Sequence, residues 1–281
     1  MTKLGIFFNL NYVGKEFFFE KLIAIQKKLN FELYTIQESN SYPKSIIRIS
    51  ETQANEIELD AIIVFGGDGT VLAAKDFSIM ANSPILGINL GRLGFLTDGS
   101  LENLETNIKT LINKQFVVEK RMLLDVKLYR NKKKIVHKLA LNDAVLYKGL
   151  DPKLITVDVF SNKKFVLNTR CDGLVASTPT GSTAYSLSAG GPLLSPILNA
   201  IIVTPLNPHI LSVRPIVFSK EEIIDFNLHE SHDDVILQID GKNIKILQNE
   251  DVIKISVANE NVTFAKFSQK DFYSILREKL H

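Results

Sequence analysis

The chain has one cysteine, no tryptophan and three methionines among its 281 residues. A lone Cys171 excludes an internal disulfide framework and fits a reducing compartment. It stands between Arg170 and Asp172, yet no histidine lies nearby in sequence to activate it, so it reads as a small buried residue. No apolar run approaches the about 20 residues that a bilayer-spanning helix needs. The Met1-Thr2-Lys3-Leu4 start runs straight into a short strand pattern and lacks a secretory leader, which predicts a cytoplasmic protein with no membrane partner. Charge of one sign is also scarce: 33 basic residues stand against 31 acidic ones, a net charge of +2. That balance offers no polybasic face for nucleic acid, and Arg130-Asn131-Lys132-Lys133-Lys134 reads as a solvated hairpin tip.

What is present is core-forming material, 45% of the sequence, enough for one large domain or two ordinary ones. The first hundred residues alternate strand and helix signals. Leu4 to Leu10 suits a buried strand, and Phe18, Leu22, Ile25 and Leu29 then recur at the offsets of an amphipathic helix. Phe31 to Ile36 reads as a strand, followed by a Ser/Asn/Pro loop, a strand at Ile62 to Phe65, a helix from Thr70 to Met80 and a strand at Pro84 to Leu90. A further helix carries Leu101, Leu104, Ile108 and Leu111, with Ser100 as its expected N-cap. From Phe116 to Phe267 strand-like segments dominate: 117–129, 135–147, 154–160, 164–169, 213–218, 235–239 and 252–257. Asp240-Gly241 and Asn162-Lys163 are tight-turn dipeptides between them. Phe272, Ile275, Leu276 and Leu280 mark a last amphipathic helix. The expected fold is an α/β N-terminal domain with a mostly parallel sheet (1–98), a β-rich C-terminal domain (99–267), and a C-terminal helix (268–281) packing back on the first domain.

Gly66-Gly67-Asp68-Gly69-Thr70 follows the apolar run Asp60 to Phe65 directly. Three glycines let the backbone bend and approach a ligand closely, and they hold one carboxyl group in their midst. No Gly-Lys-Ser or Gly-Lys-Thr ends the loop and Leu72 stands where a third fingerprint glycine would be, so the turn is neither a P-loop nor a dinucleotide fingerprint. A second segment, Ser177 to Pro192, carries the hydroxyls of Thr178, Thr180, Ser182, Thr183, Ser186 and Ser188 beside Tyr185. Amides and hydroxyls at a helix start suit an anion such as a diphosphate. Asn142-Asp143 interrupts an apolar strand context and needs partners, which either a sugar hydroxyl or a satisfied turn would supply. His229, His232, Asp233 and Asp234 read as a polar hairpin loop, because their spacing falls one short of the HExxH zinc pattern.

With these residues together, the chain resembles the NAD kinase family, in particular its bacterial members. The likeness rests on Gly66 to Thr70, Gly91 to Leu96, Asn142-Asp143, and Arg170-Cys171-Asp172-Gly173-Leu174 running into Thr178 to Pro192. The resemblance implies ATP-dependent phosphorylation of the adenosine-ribose 2′-hydroxyl of NAD to NADP, in a cleft between two domains of a cytoplasmic homodimer or homotetramer. It makes NAD and ATP the partners. A divalent metal, Mg²⁺, arrives with ATP, and no cage of protein ligands holds it. Asp68 matches the general base, with Gly69 beside it. Asn142 and Asp143 match a pair holding the nucleoside portions of NAD, and Asp143 stands where the family more often has the longer Glu. Arg170, Asp172, Thr183, Ala184, Tyr185, Ser186, Leu187 and Ser188 match further NAD contacts. Lys153 and Lys242 fall at two more by spacing, the second in place of a common Gln. A lipid or diacylglycerol kinase would share the glycine-Asp turn but gives no reason for Thr180 to Tyr185. A non-catalytic NAD sensor could discard Asp68.

Overall fold

The computed structural model describes residues 1–91, 94–230, 234–267 and 271–280. Arg92, Leu93, His232 and Asp233, which the sequence reading drew on, lie outside them. The chain divides into two compact units, residues 1–120 with 262–281, and residues 121–261.

The first unit alternates strand and helix: β1 (Lys3–Phe8), α1 (Lys15–Leu29), β2 (Glu32–Thr35), β3 (Ile46–Arg48), α2 (Glu51–Glu56), β4 (Ala61–Phe65), α3 (Asp68–Ala81), β5 (Ile85–Asn89), β6 (Gly99–Ser100) and α4 (Leu104–Ile112). The strands run parallel in the order β3-β2-β1-β4-β5. Because β1 leads outward to β2 on one side and β4 lies on its other side, the strand order reverses between β1 and β4. The carboxyl ends of these two strands are therefore the topological switch point where ligands of such sheets gather. Phe8, Phe18, Phe19 and Phe65 pack as a ring cluster with centroids from 4.5 Å apart, which anchors α1 on β1 and β4.

The loop expected after β2 contains β3 and α2. Ser50 accepts a hydrogen bond from the Gln53 amide, and the Gln53 side chain accepts one from the Ser50 amide, a capping box legible as Ser-x-x-Gln. Ser100 does not cap α4. It ends β6, paired with β5, and Asn103 occupies the cap position. Leu104, Ile108 and Leu111 of α4 pack in the core around Phe8 and Phe65, so residues 99–120, placed by sequence in the second domain, belong with the first unit.

The second unit is antiparallel: β7 (Val117–Arg130), β8 (Lys133–Ala140), β9 (Asp143–Tyr147), β10 (Ile155–Ser161), β11 (Lys164–Cys171), β12 (Gly173–Ser177), α5 (Tyr185–Ser188), β13 (Ala200–Leu206), β14 (Ile216–Ser219), β15 (Ile224–Glu230), β16 (Ile236–Ile239), β17 (Lys242–Ile246) and the start of β18 (Val252–Lys266). One sheet follows the order β14-β13-β12-β9-β16-β17; the other carries β11-β10-β15-β18, with β7 joining β18 to β8. Alternate residues of both sheets meet in one core, Leu124, Val126, Val157 and Phe226 from one side, Leu146, Leu174, Val203 and Leu237 from the other. The hairpins at Asn131-Lys132, Asn162-Lys163 and Asp240-Gly241 place both central residues at positive φ, which matches the twist of the flanking strands. The single stretch expected at 135–147 is two strands, because the chain turns a corner at Leu141-Asn142. Strands β12, β13, β15 and β17 were not foreseen, and Leu228 and His229 belong to β15 rather than to a loop.

The last residues of β18 and helix α6 (Phe272–Leu280) return to the first unit. There the Phe272 ring lies 6.2 Å from that of Phe95, and Lys279 Nζ sits 4.4 Å over the Phe95 ring. Among the described residues no helix is long and apolar enough to cross a membrane. Replacing Ser50 by Ala removes one half of the capping box and should lower unfolding stability by about 1 kcal/mol in urea titration, with the denaturant slope unchanged.

Candidate active site

In the first unit the apolar run of β4 ends at Phe65, and the glycines turn the chain into α3 at the switch point. Asp68 is the first helical residue, half-buried, and its anion lies in the favourable field of the helix N-terminus. Its Oδ2 accepts from the Phe95 amide at 2.9 Å and its Oδ1 from the Leu96 amide at 3.0 Å. The loop can close this far because residue 94 is glycine; a Cβ there would stand 2.1 Å from Asp68 Oδ1. A carboxylate offers about four lone-pair sites, so two amides fix its orientation and leave acceptor capacity for an incoming proton. Gly69 and Gly67 are exposed beside it, with open space where their side chains would be.

In the second unit a corner of backbone connects β8 to β9, and one carboxylate holds it. Asp240, in the β16–β17 turn, accepts from the amides of Leu141 (3.0 Å), Asn142 (2.7 Å) and Asp143 (3.3 Å). The Thr178 hydroxyl donates to Leu141 O at 2.6 Å, the Thr178 amide to Asn142 O at 2.9 Å, and Gly181 backs the corner so closely that a Cβ would meet Asn142 O at 2.1 Å. With its backbone thus occupied, the corner leaves the side chains of Asn142 and Asp143 without a hydrogen-bond partner among the described residues.

Register defines the face that these residues share. Asp143, Val145 and Tyr147 of β9 stand opposite Ser177, Val175 and Gly173 of β12, while Ala144 and Leu146 point into the sandwich core. Ala189, in the segment following β12, packs on that same face. Tyr185, 41% exposed, has its pKa raised by burial first and then by the neighbouring Tyr147, Asp172 and Asp143, so its phenol lies near all three. Asp143 and Tyr147 are separated by about 13 Å along the strand.

At the far end of these two strands lies a second polar group. Lys148 Nζ pairs with Asp172 Oδ1 at 2.8 Å, and Asn207 donates to Asp172 Oδ2 at 2.8 Å. Burial pushes the Asp172 carboxyl up, but the bonds from Lys148 and Asn207 outweigh it and hold the group below the usual carboxylate range. Arg170 is exposed at the end of β11, and Lys153 is exposed in the loop after Lys148. Lys242 is exposed directly after the Asp240-Gly241 turn, at the Asn142-Asp143 end. The structure thus gathers Asn142, Asp143, Thr183 to Ser188 and Lys242 around one end and one face of the sheet, with Arg170, Asp172 and Lys153 toward the other end.

The hydroxyl-rich segment forms a 3-10 turn, Thr180–Thr183, followed by α5. Five of its six hydroxyls are engaged within the protein rather than offered to an anion. Thr178 bonds Leu141, Thr180 accepts from Arg121, Ser182 bonds Pro179, Thr183 bonds Thr180, and Ser186 pairs with Thr204. Buried hydroxyls must be satisfied, so the segment braces the corner. Sequence reasoning missed Asp240 as a site residue, since it read Asp240 as turn chemistry alone, and missed Arg121, Lys148 and Thr204. Cys171 is fully buried and its thiol is pushed up to about 12 by that burial, which removes it from nucleophilic chemistry.

One unit carries a parallel sheet with a glycine-held carboxylate at its switch point, and the other presents amide, carboxyl and phenol groups on one face; each suits a nucleotide-handling phosphotransferase. Models of the ATP-NAD kinase N-terminal and C-terminal domains match residues 18–116 and 141–267. The chain belongs to the NAD kinase family. It is 40% identical over 79% of its length to 77% of an NAD kinase from Desulforamulus reducens, and 40% identical over 80% of its length to 77% of one from Thiobacillus denitrificans. Among solved structures, a yeast NADH kinase complexed with NADH superposes with a TM-score of 0.86 at 25% identity, covering 100% of this chain and 87% of that one. An NAD kinase from Archaeoglobus fulgidus in complex with ATP gives 0.75 at 27% identity, covering 99% and 98%.

Gly181→Ala should force the corner apart and cost about 1–3 kcal/mol of stability, measured by denaturant unfolding. Cys171 should resist a thiol reagent in the native protein at about pH 8 and react fully on unfolding, because thiolate formation is suppressed until the side chain reaches water.

Proposed function

We propose that the protein transfers the terminal phosphoryl group of ATP to the adenosine-ribose 2′-hydroxyl of NAD, giving NADP, with Asp68 as general base. The observation that carries this reading is the placement of Asp68 at the switch point, its carboxylate aimed by two amides and its remaining lone pairs free for a proton. A ribose hydroxyl is a poor nucleophile at neutral pH; a carboxylate that takes its proton as attack develops contributes roughly a hundred- to ten-thousand-fold. The amides at the start of α3, with Gly67 and Gly69 leaving room for close approach, suit the phosphate oxygens.

The second unit supplies the NAD contacts. Asn142 and Asp143 hold nucleoside groups from the braced corner, Thr183 to Ser188 cover the same face, and Lys242 reaches the ligand from the adjoining turn. Arg170 and Lys153 offer positive charge at the other end, and Asp172, fixed by Lys148, accepts hydrogen bonds there. The separation along β9 suits a dinucleotide laid along the strand. Among the described residues no three His, Cys, Asp or Glu side chains come together to hold a metal. Mg²⁺ would arrive as part of the ATP complex and would neutralise charge on the transferring phosphoryl group. The single buried thiol suits a cytoplasmic enzyme, and we assign it the homodimeric or homotetrameric state of its family.

Incubating the protein with NAD and MgATP and reading NADP with an NADP-specific dehydrogenase should show turnover. Radiolabelled ATP should leave diacylglycerol unlabelled. Asp68→Asn should keep NAD binding and lower kcat by about a hundredfold or more. Near-normal turnover in that variant would remove Asp68 from its role.

A further inference from the structure

Two carboxyl groups meet at the corner that braces the proposed NAD site, and their surroundings differ. The Asp240 carboxylate takes the amides of three consecutive residues. That donor set belongs to an anion. Asp143, only 5% exposed, receives no hydrogen bond on its carboxyl group from any described residue, and no described cation pairs with it. Its backbone is committed to Asp240, the amide donating to Asp240 Oδ1 and the carbonyl accepting from the Asp240 amide at 3.0 Å. Opposite it across the strands, the fully buried Ser177 Oγ also lacks a partner. The buried Ser177 hydroxyl therefore offers the neighbouring Asp143 carboxyl no hydrogen bond, and both groups stand on one face of the sheet.

Among the described residues, the other groups around Asp143 in its own unit supply no positive charge. Strand β12 contributes the neutral Ser177, the covering segment contributes Tyr185, β9 itself contributes Tyr147, and the β16–β17 turn contributes the Asp240 anion. Lys242 beyond that turn is exposed, and Asp172 at the far strand end is paired with Lys148. A buried carboxyl beside a saturated carboxylate keeps its proton, because two like charges in one desolvated site cannot both form cheaply.

Resting on the NAD kinase reading, we propose that Asp143 meets the dinucleotide as a neutral carboxylic acid and donates a hydrogen bond to an acceptor atom of a bound nucleoside, while Asp240 remains the anion that holds the corner. Asp143 is thus a specificity residue that reads an acceptor on its ligand. Burial first, and the Asp240 charge second, push its carboxyl up to about 7. The sign follows: below that pH the donor is present, and as pH rises through it the donor becomes a second anion that repels both Asp240 and the lone pairs of the ligand.

Calorimetric titration of NAD into the wild-type protein between about pH 6 and pH 8.5 should show affinity falling toward tenfold per pH unit above about 7. Asp143→Asn keeps an N–H donor and cannot ionise; whatever its affinity at about pH 6, that affinity should stay flat to about pH 8.5. A flat wild-type profile overturns the proposal, as does a folded Asp143→Asn whose affinity falls with pH as steeply as the wild type's. Carbon-13 spectra of the unliganded wild type, labelled at the aspartate carboxyl carbons, need no variant: one resonance should titrate near neutrality, and titration of every aspartate below about pH 5 overturns the proposal. A protein that binds no NAD at any pH while one carboxyl still titrates near neutrality overturns the kinase reading instead.

Discussion

Three backbone amides in a row cannot be left unpaired in a protein interior, and at residues 141–143 one carboxylate answers all of them. Asp240 lies 99 residues from Leu141 in the chain, yet its turn sets the corner from which Asn142 and Asp143 project. Without that anion the corner would carry the desolvation cost of its amides, about 1–3 kcal/mol each. The surrounding devices serve the same corner: Thr178 bonds the Leu141 carbonyl, Gly181 makes room for the Asn142 carbonyl, and Ser182 and Thr183 tie the covering turn to itself. Because the backbone is satisfied from behind, the two side chains in front take no part in holding the corner. That division between a bonded backbone and uncommitted side chains organises this end of the second unit.

The first unit applies the same economy to Asp68. Two amides from the 94–97 loop aim the carboxylate, and a glycine at 94 admits it. A carboxylate with half its lone pairs engaged is oriented and yet retains acceptor capacity, the two demands that the proposed role of general base makes on it. Helix α3 begins at Asp68 itself, so the carboxyl stands at the positive end of the helix dipole. The three acids of the sites thereby differ by environment alone. Asp68 is oriented by amides, Asp172 is held low by Lys148 and Asn207, and Asp143 is pushed up by burial beside Asp240.

Much of this was legible in the residues. The glycine turn after a buried strand, the helical spacing of Phe18, Leu22, Ile25 and Leu29, and the tight turns at Asn162-Lys163 and Asp240-Gly241 are local signals, set by sterics within a few residues. Helix α2 carried its signal too, in Ser50 and Gln53, beneath the polar composition around it. Strands β12 and β13 escaped because they are buried runs without alternation, and the break at Leu141-Asn142 because strand propensity continues through it. The six hydroxyls of Thr178 to Ser188 were legible as a motif but not in their use, since composition does not say which oxygen faces a ligand and which closes a turn.

The sequence by itself determined the periodic elements, the place of Asp68 among glycines and the family to which the chain belongs, because these depend on neighbours in the chain. Strand order decided the rest. That Asp240 clamps the corner, that Ser177 stands opposite Asp143, and that α4 packs with Phe8 are consequences of pairing between segments far apart in the chain, and no local pattern encodes which of them will meet.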